Sequence, residues 1–357
     1  MTYKAIVIGM GKRGKHHATA FQENENFDVA GVCDVDESRL AEAKELLGRD
    51  DVAASTDAAE LAASVKPDVL CFCTMPHLRE DFIRIAIENG CKMVAFEKPL
   101  ADSSAAAMRI RRRIEESGLK AVVSHQHRYG EHYAKVKSVV ASGAIGKVHT
   151  VYASTPGWMM HMMSHMLDYM RWYNDEAEAE WVMAQGAGRI KLSDNHPSPD
   201  YVAGVVQFAN GVRGVVETGA GAPNVEGVAK WWGRNRIRVM GDEGFAEVIT
   251  NGGWRAVTAE GMQSGEGAMN YEHDMKRYVQ DMADWLRDDA ARHPCHFGSA
   301  YKGFEIIMAL CRSIVKGGQI ALPLDGPDDE IQELRDAMSD RPVILAHPDH
   351  AEEFSAG

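Results

Sequence analysis

Gly9-Met10-Gly11-Lys12-Arg13-Gly14 follows the apolar run Tyr3–Ile8 and opens a helical pattern; twenty residues past its last glycine, Asp34 closes a second apolar run. Three glycines alone are a weak signal, but strand, helix and acid together supply the context of a dinucleotide-binding βαβ unit. The first glycine permits the tight turn, the second lets backbone approach a pyrophosphate, and the third lets helix and strand pack closely. Helix N–H groups then face the phosphates. An acid at the end of the second strand accepts ribose hydroxyls and repels a 2′-phosphate, so NAD is expected and NADP is less favoured. Arg13 and Arg39 are near enough in sequence to weigh for the phosphorylated form. The cofactor contacts expected here are Gly9, Gly11, Lys12, Arg13, Gly14 and Asp34.

Outward from this loop, strand-like runs at 27–34, 52–55, 69–73, 92–96 and 120–124 alternate with helical patterns at 37–47, 78–89 and 103–116. Near-continuous apolar strands alternating with helices imply a parallel sheet covered on both faces. From about residue 148 the texture changes to longer strands at 148–154, 182–190, 201–208, 212–218, 236–240, 245–250 and 254–258. Ala209-Asn210-Gly211 and Asn251-Gly252-Gly253 are turn signals between successive strands. The fold class is therefore α/β: a doubly wound Rossmann sheet followed by an α+β domain on a largely antiparallel open sheet. Domains are expected at 1–127 for the dinucleotide, 128–325 for substrate and oligomerisation, with helices at 272–288 and 301–315, and a tail at 326–357.

Composition limits the partners. A net charge of −13 over 357 residues argues against a broad nucleic-acid or anionic-membrane surface. No apolar run approaches a membrane span, and Met1-Thr2-Tyr3-Lys4 leads into the first strand without a cleavable signal pattern, so a soluble, cytoplasmic protein is expected. Six scattered cysteines make no disulfide framework; Cys71 and Cys73 lie in a strand pattern and read as buried, reduced thiols. Arg111-Arg112-Arg113 reads as the solvated face of a helix.

Cys73-Thr74-Met75-Pro76 and Phe96-Glu97-Lys98-Pro99-Leu100 fall at strand carboxyl ends, where open α/β sheets bind ligands. With Ala144-Ile145-Gly146-Lys147-Val148 and the helix containing His165 and Asp168, they resemble the Gfo/Idh/MocA family over roughly residues 3–320. The Glu-Lys-Pro triplet is the most specific element of the resemblance. It implies a Rossmann domain paired with a sheet-rich substrate domain, NAD(P)-dependent oxidation or reduction of sugars, cyclitols and related polyols, and a homodimer or homotetramer formed through the second sheet. Thr74, Pro76, His77, Glu97 and Lys98 join the expected cofactor contacts. Two alternatives stay open: a redox-assisted glycosidase or lyase with tightly held NAD, and a non-catalytic dinucleotide-binding sensor.

Hydride transfer from an alcohol carbon needs the hydroxyl proton removed. Lys98 at the cofactor crevice would bind the substrate oxygen and tune proton transfer, and a desolvated lysine beside another cation has a lowered pKa. Trp158-Met159-Met160-His161-Met162-Met163-Ser164-His165-Met166-Leu167-Asp168 supplies the second centre. At 100° per residue, His161, His165 and Asp168 share one helix face, with Trp158 and Trp172 near the same stripe. His165 matches the family's acid–base histidine, and Asp168 would orient it or stabilise its imidazolium. Many family dehydrogenases carry aspartate four residues before that histidine; here it is His161, which reads as a substrate hydrogen-bonding group, as a metal ligand with His165, or as structural. No metal is expected, because Met162 replaces the glutamate of HExxH. The methionines at 159, 160, 162, 163, 166 and 170 read as core packing, with pocket lining and soft-metal binding as lesser uses.

The substrate contacts expected are Lys98, Trp158, His161 and His165, and the resemblance adds Arg128 as a substrate or structural contact. Strand alternation beyond 124 would place His125 and His127 on one side, and Gln126 and Arg128 on the other. Lys230-Trp231-Trp232-Gly233-Arg234-Asn235-Arg236 reads as a subunit contact, a sugar-stacking rim or an anion site. His196-Pro197-Ser198-Pro199-Asp200 reads as a rigid turn with no chemistry.

Overall fold

A computed structural model describes residues 2–341 together with 343 and 345. The chain divides into one unit of Met1–Asp102, Ala106–Tyr129 and Asn270–Ala300, and a second of Ser103–Ala105, Gly130–Met269 and Tyr301–Gly357.

The first unit is built on β1 (Tyr3–Ile8), α1 (Lys12–Gln22), β2 (Phe27–Cys33), α2 (Glu37–Leu47), β3 (Ala53–Ser55), α3 (Ala58–Val65), β4 (Val69–Phe72), α4 (Arg79–Glu88), β5 (Met93–Phe96) and β6 (Lys120–Val123). All six strands pair in parallel in the order β3-β2-β1-β4-β5-β6. Every residue of β4 and β5 is buried, as expected of strands covered on both faces. The chain reverses direction of travel between β1 and β4, which places the carboxyl ends of those strands at a topological switch point.

Two boundaries differ from the sequence reading. Residues 270–300, expected in the substrate domain, belong to the first unit. The apolar stripe Met275, Tyr278, Val279 and Met282 of α8 (Tyr271–Arg287) shares a core with Ala5, Val7, Phe21 and Cys71. An amphipathic pattern announces a face to be buried but not the surface that buries it. Of the tail expected at 326–357, residues 342, 344 and 346–357 lie outside the described residues; in the rest, α10 (Glu330–Ala337) buries Ile331 and Leu334, and Glu330 takes Arg312 as its partner at 2.9 Å.

The second unit holds a nine-stranded sheet in the order β14-β13-β12-β11-β7-β10-β9-β8-β15. Its strands are β7 (Val148–Thr155), β8 (Ala179–Ala187), β9 (Tyr201–Phe208), β10 (Arg213–Gly219), β11 (Arg236–Gly241), β12 (Gly244–Ile249), β13 (Gly253–Thr258), β14 (Gly261–Gly265) and β15 (Ile320–Ala321). Pairing is antiparallel except between β7 and β10. Gly211 at φ +84° and Gly253 at φ +76° take the left-handed conformations that the two hairpin turns need. The strand expected at 182–190 instead runs 179–187, because Gly188 at φ +75° turns the chain where a Cβ would lie 2.2 Å from the Asp200 carboxylate. No helix among the described residues is long and apolar enough to cross a membrane.

Candidate functional site

In the first unit the three loop glycines answer to different demands. Gly9 holds φ +85°, and a Cβ there would lie 2.8 Å from the Cys73 carbonyl oxygen. At Gly14 a Cβ would sit 1.8 Å from the Gly9 carbonyl oxygen, so helix and loop touch backbone to backbone. Gly11 meets no such obstacle: the nearest atom to its Cβ would be Arg39 Nη1 at 4.0 Å. Protein packing does not require glycine at 11, whereas close approach of a ligand does.

The helix termini agree. Asp36 and Asp57 cap α2 and α3 through their side chains, while α1 starts at Gly11 with no side-chain cap and no acid in its first turn. Its N–H groups are left for an anion. Thr74 Oγ1, at the end of β4, is buried without a partner. These features fit a pyrophosphate-bearing cofactor. Asp34 is buried at the end of β2, accepts Met10 N–H at 2.6 Å and Asp36 N–H at 3.0 Å, and has Arg39 at 3.6 Å. Pro76 starts a short 3-10 turn after β4; Lys12 and His77 are exposed.

Glu97, at the end of β5, is a hub. Its Oε1 accepts from Arg13 Nε and Nη2, each at 2.9 Å, and lies 3.1 Å from His17 Nε2. Although burial opposes ionisation, Arg13, His17 and Lys98 hold its carboxyl well below the usual range. The Arg13 head group, expected on the cofactor, is thus tied to Glu97 and lies 4.3 Å over the Tyr271 ring. Glu97 fixes α1 and the glycine loop against β5, a positioning role. Lys98 is partly buried; burial draws it down to about 8, with Glu97 pulling the other way and Arg13 and Arg79 adding to the decrease.

Three participants carried no sequence signal: His17, Tyr271 and Arg79. Burial draws Arg79 down to about 10; its guanidinium lies 5.7 and 5.6 Å from the Phe72 and Phe96 rings, and its Nε donates to Pro99 O at 3.4 Å.

In the second unit, Met159–Met163 form a π turn ahead of α7 (Ser164–Tyr173). The uniform 100° step used to align His161 with His165 and Asp168 fails across it, because a π turn holds an extra residue. His165 is 5 % exposed, and its Nδ1 lies 3.1 Å from Tyr169 Oη. Asp168 is buried on the same helix. The His161 ring is 4.8 Å from Trp158, 5.7 Å from Trp231 and 5.3 Å from His196, which the sequence reading left without chemistry. Lys191 Nζ lies 4.5 Å over the Trp158 ring. All six methionines of this segment are buried, as core packing requires.

The Lys230–Arg236 stretch divides. Trp231 joins the His161 cluster, Arg234 donates to the carbonyls of Val228 and Ala229, and Arg236 lies 3.7 Å from Glu247 beside Arg238 and Arg255. A groove of about 840 Å³ lined by Asn224, Arg236, Glu247, Trp254 and Arg255 contains none of the expected site residues.

The strand alternation expected beyond residue 124 requires correction. The chain leaves β6 at Val123 and enters a 3-10 turn at Gln126–Tyr129, so strand alternation does not apply. Arg128 donates to Pro294 O and Ser299 Oγ, each at 3.3 Å, and His127 Nδ1 lies 3.3 Å from Asp274. Both lie in the first unit, where they tie the turn to the returning 270–300 segment.

Comparison with known proteins gives two family matches. Residues 3–125 match the Gfo/Idh/MocA model described as an oxidoreductase family with an NAD-binding Rossmann fold, and residues 152–247 match the GFO/IDH/MocA C-terminal domain. Myo-inositol 2-dehydrogenase from Thermotoga maritima is 26 % identical over 260 residues, covering 68 % of this chain and 75 % of that protein. An oxidoreductase from Agrobacterium radiobacter, solved with NAD+, L-tartaric acid and magnesium, has a TM-score of 0.78 at 18 % identity and covers 90 % of this chain and 98 % of its own. Levoglucosan dehydrogenase, solved with NADH and levoglucosan, gives a TM-score of 0.76 at 17 % identity, covering 90 % and 100 %. The two solved structures share the fold.

Proposed function

The chain belongs to the Gfo/Idh/MocA family of oxidoreductases with an NAD-binding Rossmann domain, and from that premise we propose that it is a dehydrogenase moving a hydride between nicotinamide and a hydroxyl or keto group of a sugar, cyclitol or glycoside. The observation that carries this reading is Lys98. It is a partly buried lysine drawn down to about 8, at the same carboxyl edge of the sheet as the glycine loop.

When bound, NAD supplies the hydride acceptor. Neutral Lys98 takes the hydroxyl proton during oxidation; its ammonium form polarises the keto oxygen during reduction. Glu97 keeps α1 and the loop in place. Fixed through Nδ1 by Tyr169, His165 has Nε2 as its acid–base atom, and the family resemblance supports that role. Trp158, His161 and Trp231 offer aromatic faces and an imidazole suited to a polyhydroxylated ring. Subunits pair through the nine-stranded sheet, where Met183 and Met262 are exposed; light scattering on the purified protein tests this.

The decisive experiment is NADH formation across a panel of sugars, cyclitols and glycosides, with Lys98→Met and His165→Ala. Each variant should lose most turnover, and the double variant should lose far less than the product of the two losses. Full turnover in both single variants would sink the assignment. A second reading, cleavage through transient oxidation, gains support from the additional imidazole pair His161 and His196. It predicts product without net NADH.

A further inference from the structure

Behind the glycine loop lies a group of donors that dinucleotide chemistry does not use. Cys71 and Cys73 are two residues apart at the end of β4, so their side chains share a face of the strand. His17, in the second turn of α1, meets them there. One ligand atom from each of His17, Cys71 and Cys73 lies within 4.8 Å of the other two. It is the one such His/Cys/Asp/Glu group among the described residues.

His17 has an unusual hydrogen-bond inventory. Its side chain is fully buried; Nε2 lies 3.1 Å from Glu97 Oε1, and Nδ1 has no hydrogen-bond partner. A carboxylate on one imidazole nitrogen fixes the proton there and raises the basicity of the other, as in metal sites where an outer carboxylate orients a ligating histidine. The nitrogen left to give an electron pair is Nδ1. With Nε2 taken by Glu97, Nδ1 is the nitrogen left for the two thiols, so one imidazole and two sulfurs converge on a single buried point.

We propose that His17, Cys71 and Cys73 bind a thiolate-preferring cation of the Zn2+ type directly behind the dinucleotide loop. Two sulfurs and one imidazole suit Zn2+ rather than magnesium or calcium, which prefer oxygen ligands. Binding forms two metal–sulfur bonds and one metal–nitrogen bond; the cysteine protons leave to solvent and no electron is transferred. The fourth position falls to water reached past Cys73, the more exposed cysteine of the pair. The Cys73 carbonyl also sets the space at Gly9, so occupancy should alter NAD affinity through the loop. The proposal does not depend on the dehydrogenase reading.

The test uses the full chain, stripped with a chelator and titrated with Co2+ as a spectroscopic probe, then with Zn2+ in competition with a chromophoric chelator. The expected result is one equivalent of Co2+, with near-ultraviolet thiolate-to-cobalt charge-transfer bands and the visible bands of a tetrahedral ion. Cys71→Ser and Cys73→Ser should each remove about half of the charge-transfer intensity, and His17→Gln should weaken Zn2+ binding at least tenfold. In wild type, Zn2+ should also protect Cys73, the accessible thiol, from alkylation, a readout that needs no variant to fold. Cobalt bound without charge-transfer bands, bands that persist in the Cys71→Ser/Cys73→Ser double variant, or alkylation unaffected by Zn2+ would each overturn the site.

Discussion

The carboxyl edge of the parallel sheet and the methionine-packed helix of the second unit solve the same problem in opposite ways. Both bury ionisable side chains. At the sheet edge, charge holds charge: Glu97 gathers Arg13 and His17, and Lys98 and Arg79 stand in its field. On the helix, His165 rests on a phenol and His161 sits among aromatic rings. Fixed charges make a rigid frame suited to positioning a loop, since breaking a buried ion pair is costly. The phenol beside His165 orients its ring, which suits proton transfer.

Breaking the frame should produce the largest effects. Glu97→Gln strands Arg13 and His17 and should destabilise the fold by about 3–5 kcal/mol, read as an earlier urea transition. Because the folded pKa of Glu97 lies below its unfolded value, its contribution is present above the unfolded carboxyl pKa of about 4.3 and is lost as pH falls through the folded one. The variant should therefore lack that part of the acid-induced loss of stability. Lys98→Met should lower kcat by about 10²–10⁴. In wild type, oxidation should quicken as pH rises through about 8 and neutral lysine accumulates. Lys98→Arg should abolish that rise, because guanidinium keeps its proton.

The glycine loop gives an internal contrast of smaller size. Gly14→Ala forces a Cβ onto the Gly9 carbonyl and should impair folding, whereas Gly11→Ala meets nothing nearer than 4.0 Å and should leave stability unchanged. NAD affinity, measured by calorimetry, should nevertheless fall about tenfold in Gly11→Ala, ~1.4 kcal/mol. Wild-type affinity would mean that the space over Gly11 is not where the cofactor approaches.

The same contrast explains what could be read from sequence. The placement of the glycine loop, Asp34 and Glu97-Lys98-Pro99 at strand ends was legible because each short motif follows an apolar strand run in a β-α alternation. The hairpins of the second sheet were legible from Asn-Gly turn chemistry and alternation. The groups around Glu97 and Arg13 were not: His17 is an ordinary helix residue, and Tyr271, over the Arg13 head group, arrives from a segment more than 170 residues beyond Glu97 through tertiary packing of α8. The π turn escaped because its extra residue leaves the composition of a helix unchanged while breaking the 3.6-residue step. β14 escaped because four of its five residues are exposed and no apolar alternation marks it.

The smallest expected effect tests the neutral side of the comparison most directly. For Nε2 of His165 to accept a proton, the ring proton must sit on Nδ1 and be donated to Tyr169 Oη, 3.1 Å away. Tyr169→Phe removes that acceptor and should cost about 0.5–1.5 kcal/mol of transition-state stabilisation, roughly two- to tenfold in kcat, with KM for the polyol unchanged. The pH–rate profile, recorded beside kcat, reads whether the pair takes part in proton transfer. A fall in thermal stability with kcat and the profile unmoved would make the pair a packing contact. Replacing the phenol with a carboxylate, Tyr169→Glu, puts a negative charge beside the imidazole and should change both kcat and the profile. That variant would carry the sheet edge's solution onto the helix, and slower turnover at neutral pH would show that added charge beside His165 works against proton transfer.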